Sequence, residues 1–365
     1  MLSGPWSEVI ATRIDIDLTD KELLNILQSS FPVAAEPYGV IAEQLDMREE
    51  DVLQRVYALK KRNVVRQISA IFDTRKLGYK TTLVAFRYPP GALDKAARVI
   101  NRHPGVSHNY ARNGHFNLWF TLAVPPHHDL GETIDHMAKA TGAEAARVMP
   151  TLRFFKIGVN FDMVKEKGAA YDYYSPDGFG GGASTGGIVG DDWNRAQDVT
   201  PFEVEVIREL QEDLPLEFHP FEGIATRLGV SVPELFAVMT GLQERGLMRR
   251  YSAVLYHRRA GFRSNAMAVW AVPEDRAVEV GMAMAQSPWV THCYQRPTFP
   301  DWRFTHFTMI HATTQDQCED VAREISEATG ITDFQLLYST REYKKTRVRY
   351  FVEHEYDAAL QEVSS

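Results

Sequence analysis

The residues best suited to chemistry occur in two strings of one pattern. His108-Asn109-Tyr110-Ala111-Arg112 and His292-Cys293-Tyr294-Gln295-Arg296 both read His-x-Tyr-x-Arg, and the second follows the first by 184 positions. An imidazole changes charge near neutral pH and can hand over a proton. A guanidinium forks onto carboxylates. On a strand, residues at i, i+2 and i+4 point the same way, so His, Tyr and Arg share a face in both copies. A single strand histidine is more often satisfied structurally, but three polar side chains on one face cost too much to bury unless they are paired or meet a ligand. Repeat ancestry alone could still account for one of the two copies.

The elements that must carry these faces repeat as well. Arg66-Gln67-Ile68-Ser69-Ala70-Ile71 matches Arg249-Arg250-Tyr251-Ser252-Ala253-Val254 at an offset of 183, so the chain reads as an intrachain pseudo-dimer. In the first half, Thr19 is the expected cap of a helix over Asp20 to Gln28, with Leu23, Leu24 and Leu27 on one side. Helices over Val40 to Leu45 and Arg48 to Arg62 follow. In the second half, Thr200-Pro201 caps a first helix, Phe221 to Leu228 and Val232 to Arg245 supply two more, and Gly246 stops the last. Three helices and a strand make a winged helix-turn-helix.

Behind each winged helix the pattern is strand, helix, strand, strand, helix, strand, which predicts a ferredoxin-like sandwich. In the first half these elements are Thr81 to Tyr88, Leu93 to Arg102, Val106 to Arg112, Phe116 to Val124, Leu130 to Thr141 and Val148 to Val159. Their counterparts begin near Ala266, Arg276, Val290, Phe304, Gln315 and Phe334. The fold class is α+β, with winged helices at 14–75 and 200–260 and ferredoxin-like domains at 76–163 and 261–354. Residues 164–199 form a Gly-rich linker whose heart, Gly180 to Gly187, holds only Gly, Ala, Ser and Thr. Treated as a flexible coil, the linker spans roughly 30 to 36 Å, enough for the two sheets to pair side by side.

Composition narrows the function. With 48 acidic and 40 basic residues in 365, the chain lacks the positive charge of a protein devoted to polyphosphate. No apolar run reaches membrane-spanning length and no secretory leader pattern opens the chain, so a cytoplasmic protein without a membrane partner is expected. Cys293 and Cys318 are too few and too far apart for iron–sulfur or structural zinc sites.

The architecture resembles the Lrp/AsnC regulators, while the sheet motifs resemble those of the siroheme decarboxylases, which share that fold. The first half resembles one subunit type through His108 to Arg112 and Phe116-Asn117-Leu118-Trp119-Phe120-Thr121. The second resembles the other type through His292 to Pro297, Trp302 and Phe307-Thr308-Met309-Ile310-His311. This resemblance implies removal of CO2 from the C12 and C18 acetates of siroheme, giving 12,18-didecarboxysiroheme for heme d1 or the alternative heme route. It implies no cofactor, the iron belonging to the substrate, and association as a homodimer or with related decarboxylase subunits.

Siroheme carries eight carboxylates around a flat aromatic ring system, so the resemblance assigns Arg296, Arg112, Arg250, Arg66, Arg341 and Arg153 to carboxylates. A net insertion of four residues, mostly around Phe299-Pro300-Asp301-Trp302, lengthens one hairpin of the second half. Trp302 and Trp119 read as stacking or sheet-core residues. His292, then His108, are the expected proton donors, with Tyr294 and Tyr110 orienting them or the substrate. His306 ranks third as a donor, and His115 is a candidate axial ligand to the substrate iron.

Two other functions compete. Two winged helices in one chain imitate a regulator dimer on DNA, but the reading helices begin Arg48-Glu49-Glu50-Asp51 and Val232-Pro233-Glu234, poor in the side chains that read base edges. A tetrapyrrole sensor would use the same Arg-rich pocket without turnover.

Overall fold

The structure is a computed structural model that describes residues 16–29, 31–158, 173–175, 178–179, 195–255, 264–312, 314–352 and 355–356. The first winged helix comprises α1 (Leu18–Ser29), α2 (Pro37–Gln44), α3 (Glu49–Lys61) and strand β1 (Val65–Phe72). Helix α1 begins before Thr19 because Asp17, not Thr19, caps it, accepting the Asp20 N–H at 2.7 Å while pairing with Arg55 at 2.9 Å. After the first sandwich come α6 (Pro201–Leu210), α7 (Glu222–Leu228), α8 (Val232–Glu244) and β9 (Met248–Leu255) of the second winged helix. Its signals hold: Thr200 and Glu203 form a capping box, and Gly246 takes a φ of 68° past the end of α8.

The two winged helices share one apolar core, closed by a β1–β9 ribbon in which Ser69 pairs with its own repeat counterpart, Ser252. The pseudo-two-fold axis therefore passes between these serines. Arg347 reaches this point and donates to the Ser69 and Ala70 carbonyls at 3.2 and 2.9 Å, to Ser69 Oγ at 2.8 Å and to the Ser252 carbonyl at 3.3 Å.

The first ferredoxin-like unit holds β2 (Lys80–Arg87), α4 (Leu93–Ile100), β3 (Val106–Arg112), β4 (Leu118–Val124), α5 (Leu130–Thr141), β5 (Ala145–Met149) and β6 (Arg153–Gly158). The second holds β10 (Ser264–Trp270), α9 (Ala277–Gln286), β11 (Val290–Gln295), β12 (His306–Ala312), α10 (Gln315–Thr329) and β13 (Phe334–Lys345). The stretch Val148 to Val159, expected as one strand, is two: Pro150 supplies no N–H for a ladder, and the chain turns there. Of the expected linker, Gly180 to Gly187 lies outside the described residues, while β7 (Tyr173–Ser175) and β8 (Gly178–Phe179) extend the sheet beside β6.

Strand order is β5-β2-β4-β3-β13-β10-β12-β11-β6-β7-β8, so each half ends by lending a strand to the other. Residues from Ser339 to Lys345 of β13 pair with β3, and β6 pairs with β11. Because β5 and β6 are consecutive in the chain, the sheet folds back on itself. Trp119 on β4 and Phe307 on β12, with three strands between them in that order, lie 6.3 Å apart between ring centroids, which places the two halves face to face. Helices α4 and α5 cover one outer face, and α9 and α10 the other. Hence there are four layers, helix, sheet, sheet, helix.

The lent strands are anchored alike. Phe155 of β6 lies in the core beneath α9, where a Cβ on Gly281 would run into its ring. Tyr343 of β13, its repeat counterpart, packs against the core beneath α4. Their neighbours Lys156 and Lys344 donate to helix-end carbonyls of the opposite half, Ser287 at 3.1 Å and Asn101 at 2.8 Å. Phe155→Ala is expected to cost about 3 to 5 kcal/mol in chemical unfolding. With the chain opened between Ser184 and Thr185, the two halves should be soluble only when co-expressed, eluting together on size exclusion; either half folding alone would show that the lent strands are not required.

Candidate active site

Both His-x-Tyr-x-Arg faces point into the space between the sheets, one from β3 and one from β11. Opposite them across the ladders, His108 meets Thr121, Tyr110 meets Trp119, His292 meets Met309 and Tyr294 meets Phe307. The faces match closely. His108 and Tyr110 have ring centroids 6.3 Å apart at 32°, and His292 and Tyr294 6.0 Å apart at 34°. Arg112 lies over the Tyr110 ring at 5.4 Å and Arg296 over the Tyr294 ring at 4.9 Å.

Each imidazole is held by the hydroxyl before it. Ser107 Oγ is 3.0 Å from His108 Nδ1, and Thr291 Oγ1 is 3.0 Å from His292 Nδ1. The Met309 carbonyl, 3.4 Å from Thr291 Oγ1, can take the hydroxyl hydrogen when His292 Nδ1–H donates to Thr291. That leaves Nε2 as the nitrogen facing the site. Burial pushes His108 down to about 3, helped by the charge of Lys345, and His292 to about 4, helped by the charges of Lys156 and then Lys345. His311, on the same face of β12 as Met309, is pushed to about 3 by burial and by the charges of His292, Lys345 and Arg112. Thus three histidines converge and are neutral in the protein alone.

The two arginines are the site's charged anchors. Arg112 donates to the Leu337 carbonyl at 2.9 Å, and Arg296 to the Met149 carbonyl, the counterpart of Leu337 in the other repeat. Burial lowers both to about 10. Neither has a carboxylate partner among the described residues, and the Nε of each is buried without an acceptor. A buried cation left short of an acceptor is costly, so these guanidiniums suit an anionic ligand.

The other expected residues divide by position. Arg66 donates to the Lys345 carbonyl and pairs with Glu342 at 3.2 Å, and its charge bears on His108. Of the Arg249-Arg250 pair, Arg249 holds buried Asp73 at 2.6 Å and bears on Tyr294, whereas Arg250 bears on Arg347. Trp302 is buried among Trp119, Phe116 and Phe307, and its hairpin is clamped by Arg147 on Asp301 at 2.9 and 2.7 Å. Four residues lie apart from this face. Arg341 is exposed and pairs with Asp94 at 2.8 Å, and Arg153 donates to Gln295 at 3.4 Å. His306 is buried, its Nε2 2.8 Å from the Ala277 carbonyl, its Nδ1 3.0 Å from Thr305 Oγ1 and its ring stacked on Phe155. His115 is exposed on the first hairpin, 3.2 Å from Arg87. Lys345 and Arg75, whose charge bears on Tyr294 and Arg296, were not singled out from the sequence.

Two winged helices and two crossed sheets closed over a duplicated polar face define a fused protein of AsnC-like build. The profile of the AsnC-like ligand binding domain matches residues 76–156 and 259–344, and that of the siroheme decarboxylase NirDL-like HTH domain matches 20–66 and 203–249. A siroheme decarboxylase from Hydrogenobacter thermophilus is 39% identical over 91% of this chain and 95% of its own. A siroheme decarboxylase beta subunit from Methanosarcina barkeri is 46% identical over 40% of this chain and 97% of its own. The crystal structure of the siroheme decarboxylase NirDL in complex with an iron-uroporphyrin III analogue superposes with a TM-score of 0.70 at 33% identity, covering 95% of this chain and 98% of that one. The chain belongs to the siroheme decarboxylase family.

The histidine shifts predict a pH dependence. A histidine held near 3 or 4 in the folded protein and near 6.5 in the unfolded chain gains a proton on unfolding between those values, so stability present above pH 6.5 drains away as pH falls toward 4. Melting temperature should drop between pH 7 and pH 5, and drop less in a His108→Gln, His292→Gln, His311→Gln variant. Equal slopes would show that these rings are not neutral in the native state.

Proposed function

We propose that this chain removes CO2 from the C12 and C18 acetates of siroheme, giving 12,18-didecarboxysiroheme for heme d1 synthesis. The observation that carries the reading is the pair of buried guanidiniums, Arg112 and Arg296, short of acceptors beside neutral imidazoles between the sheets. A polycarboxylate with a flat aromatic body supplies what that space lacks. The winged helices carry little free positive charge for DNA. On α3, Arg48 pairs with Asp51, Arg55 with Asp17 and Asp20, and Lys60 with Asp213, at 2.5 to 2.9 Å.

In the reaction the bond from the acetate methylene to its carboxyl group breaks and CO2 leaves. The electron pair enters the macrocycle, and a proton ends on the exocyclic carbon, leaving a methyl group. Arg112 and Arg296 bind carboxylates that stay. His292, held by Thr291, is the first donor of the proton through Nε2 and His108, held by Ser107, the second, while Tyr294 and Tyr110 carry the guanidiniums on their rings. Among the described residues no helix is long and apolar enough to cross a membrane. The macrocycle serves as electron sink, so no further cofactor is invoked, and the two subunit types are joined in one chain.

Anaerobic incubation with siroheme and mass analysis of the extracted tetrapyrrole tests this. Loss of two CO2 units is expected. With His108→Ala and His292→Ala together, loss should slow by about a hundredfold or more, the usual scale of a general acid. Wild-type rates in that variant would remove the histidines from the mechanism, and unchanged siroheme with the wild type would reject the enzyme.

A further inference from the structure

The two halves of the site are not alike, and the lent strands make the difference. In the register of β13 on β3, Lys345 stands opposite His108 and Glu342 opposite Tyr110. Strand β6 is the matching run of the other repeat, and there Ile157 stands opposite His292 and Phe154 opposite Tyr294. Directly opposed residues put their side chains on one face of a sheet. The first half therefore carries an ammonium where the second carries a branched alkyl group. Arg66, bonded to the Lys345 carbonyl and paired with Glu342 at 3.2 Å, fixes that end of β13 against the first winged helix. The ammonium of Lys345 bears on His108, His292 and His311, although on His292 the charge of Lys156, whose ammonium is turned to the Ser287 carbonyl at 3.1 Å, bears more strongly.

We infer that Lys345 binds a substrate carboxylate, so that the His108 half holds an acid group in place while the His292 half, flanked by Ile157 and Phe154, strips one of solvent and releases it as CO2. Arg112 and Arg296 occur in both halves and cannot create this distinction; Lys345 and Ile157 can. An ammonium beside a carboxylate stabilises the ground state of that group and opposes loss of its charge. An apolar neighbour withholds solvation from the carboxylate but not from the delocalised charge of the transition state. At the Lys345 end no bond changes, so the proton comes from His292 and His108 serves there to bind rather than to donate. At the His292 end the carbon–carbon bond breaks, its electrons enter the macrocycle and a proton reaches the exocyclic carbon.

The inference rests on the siroheme reading, and the test separates the two. The full-length wild type, Lys345→Met, Lys345→Arg and Ile157→Lys are compared in titrations with iron-uroporphyrin III and in anaerobic turnover of siroheme, with thermal melts to confirm folding. Lys345→Met should raise Kd about tenfold and Lys345→Arg should restore it to within about threefold, the scale of one charge-assisted contact. Ile157→Lys should bind as tightly as wild type or more so, yet release CO2 about tenfold more slowly or worse. Unchanged binding by Lys345→Met, or undiminished turnover by Ile157→Lys, would overturn the inference while leaving the decarboxylase reading intact. A wild type that neither binds the iron porphyrin nor decarboxylates siroheme would overturn both.

Discussion

Everything in the site depends on the exchange of end strands between the halves. Strand β13 completes the sheet of the first half and β6 that of the second, and the carbonyls that fix Arg112 and Arg296 belong to Leu337 and Met149, at the roots of those runs. Each guanidinium is thus seated by backbone from the opposite repeat. Phe155 and Tyr343, with Lys156 and Lys344 beside them, hold the exchanged strands by core packing and helix-end hydrogen bonds. The polar face exists only in the crossed assembly.

Burial then sets the chemistry. Imidazoles enclosed between two sheets, with Lys345 and Arg66 nearby, are neutral, and arginines without carboxylate partners among the described residues keep their demand for an anion. An arriving polycarboxylate supplies negative charge to Arg112 and Arg296, for which no carboxylate partner occurs among the described residues. That charge favours protonation of the rings just as substrate is seated. The empty site is therefore poorly charged for proton transfer, and the occupied one is better.

Local signals were read well from the sequence, and crossings between halves were not. The Thr200 cap, Gly246, the helix order and the shared face of His, Tyr and Arg follow from short-range rules, and all appear. Thr19 gave way to Asp17 because a carboxylate two residues earlier could cap α1 and hold Arg55 at once. The fate of His306 hung on strand parity, obscured by the inserted hairpin: with Met309 and Phe307 facing His292 and Tyr294, position 306 falls on the helix side. Arg341 and Arg153 sit on the lent strands, whose side-chain directions depend on bulges at the crossing. Lys345 carried no motif; its importance comes from standing opposite His108, more than two hundred positions away.

Arg347 shows what fusion permits. Its guanidinium lies where Ser69 faces Ser252, on the axis relating the two halves, and binds backbone from both. In a dimer of identical chains, any group placed there would arrive twice, and two like charges would contend for one position. The matching position of the first repeat in the sequence is Val159, which carries no charge to match that of Arg347. One chain with two unlike halves can place a lone charge on its own symmetry axis, and the duplicated frame thereby becomes a scaffold for an unsymmetrical interior.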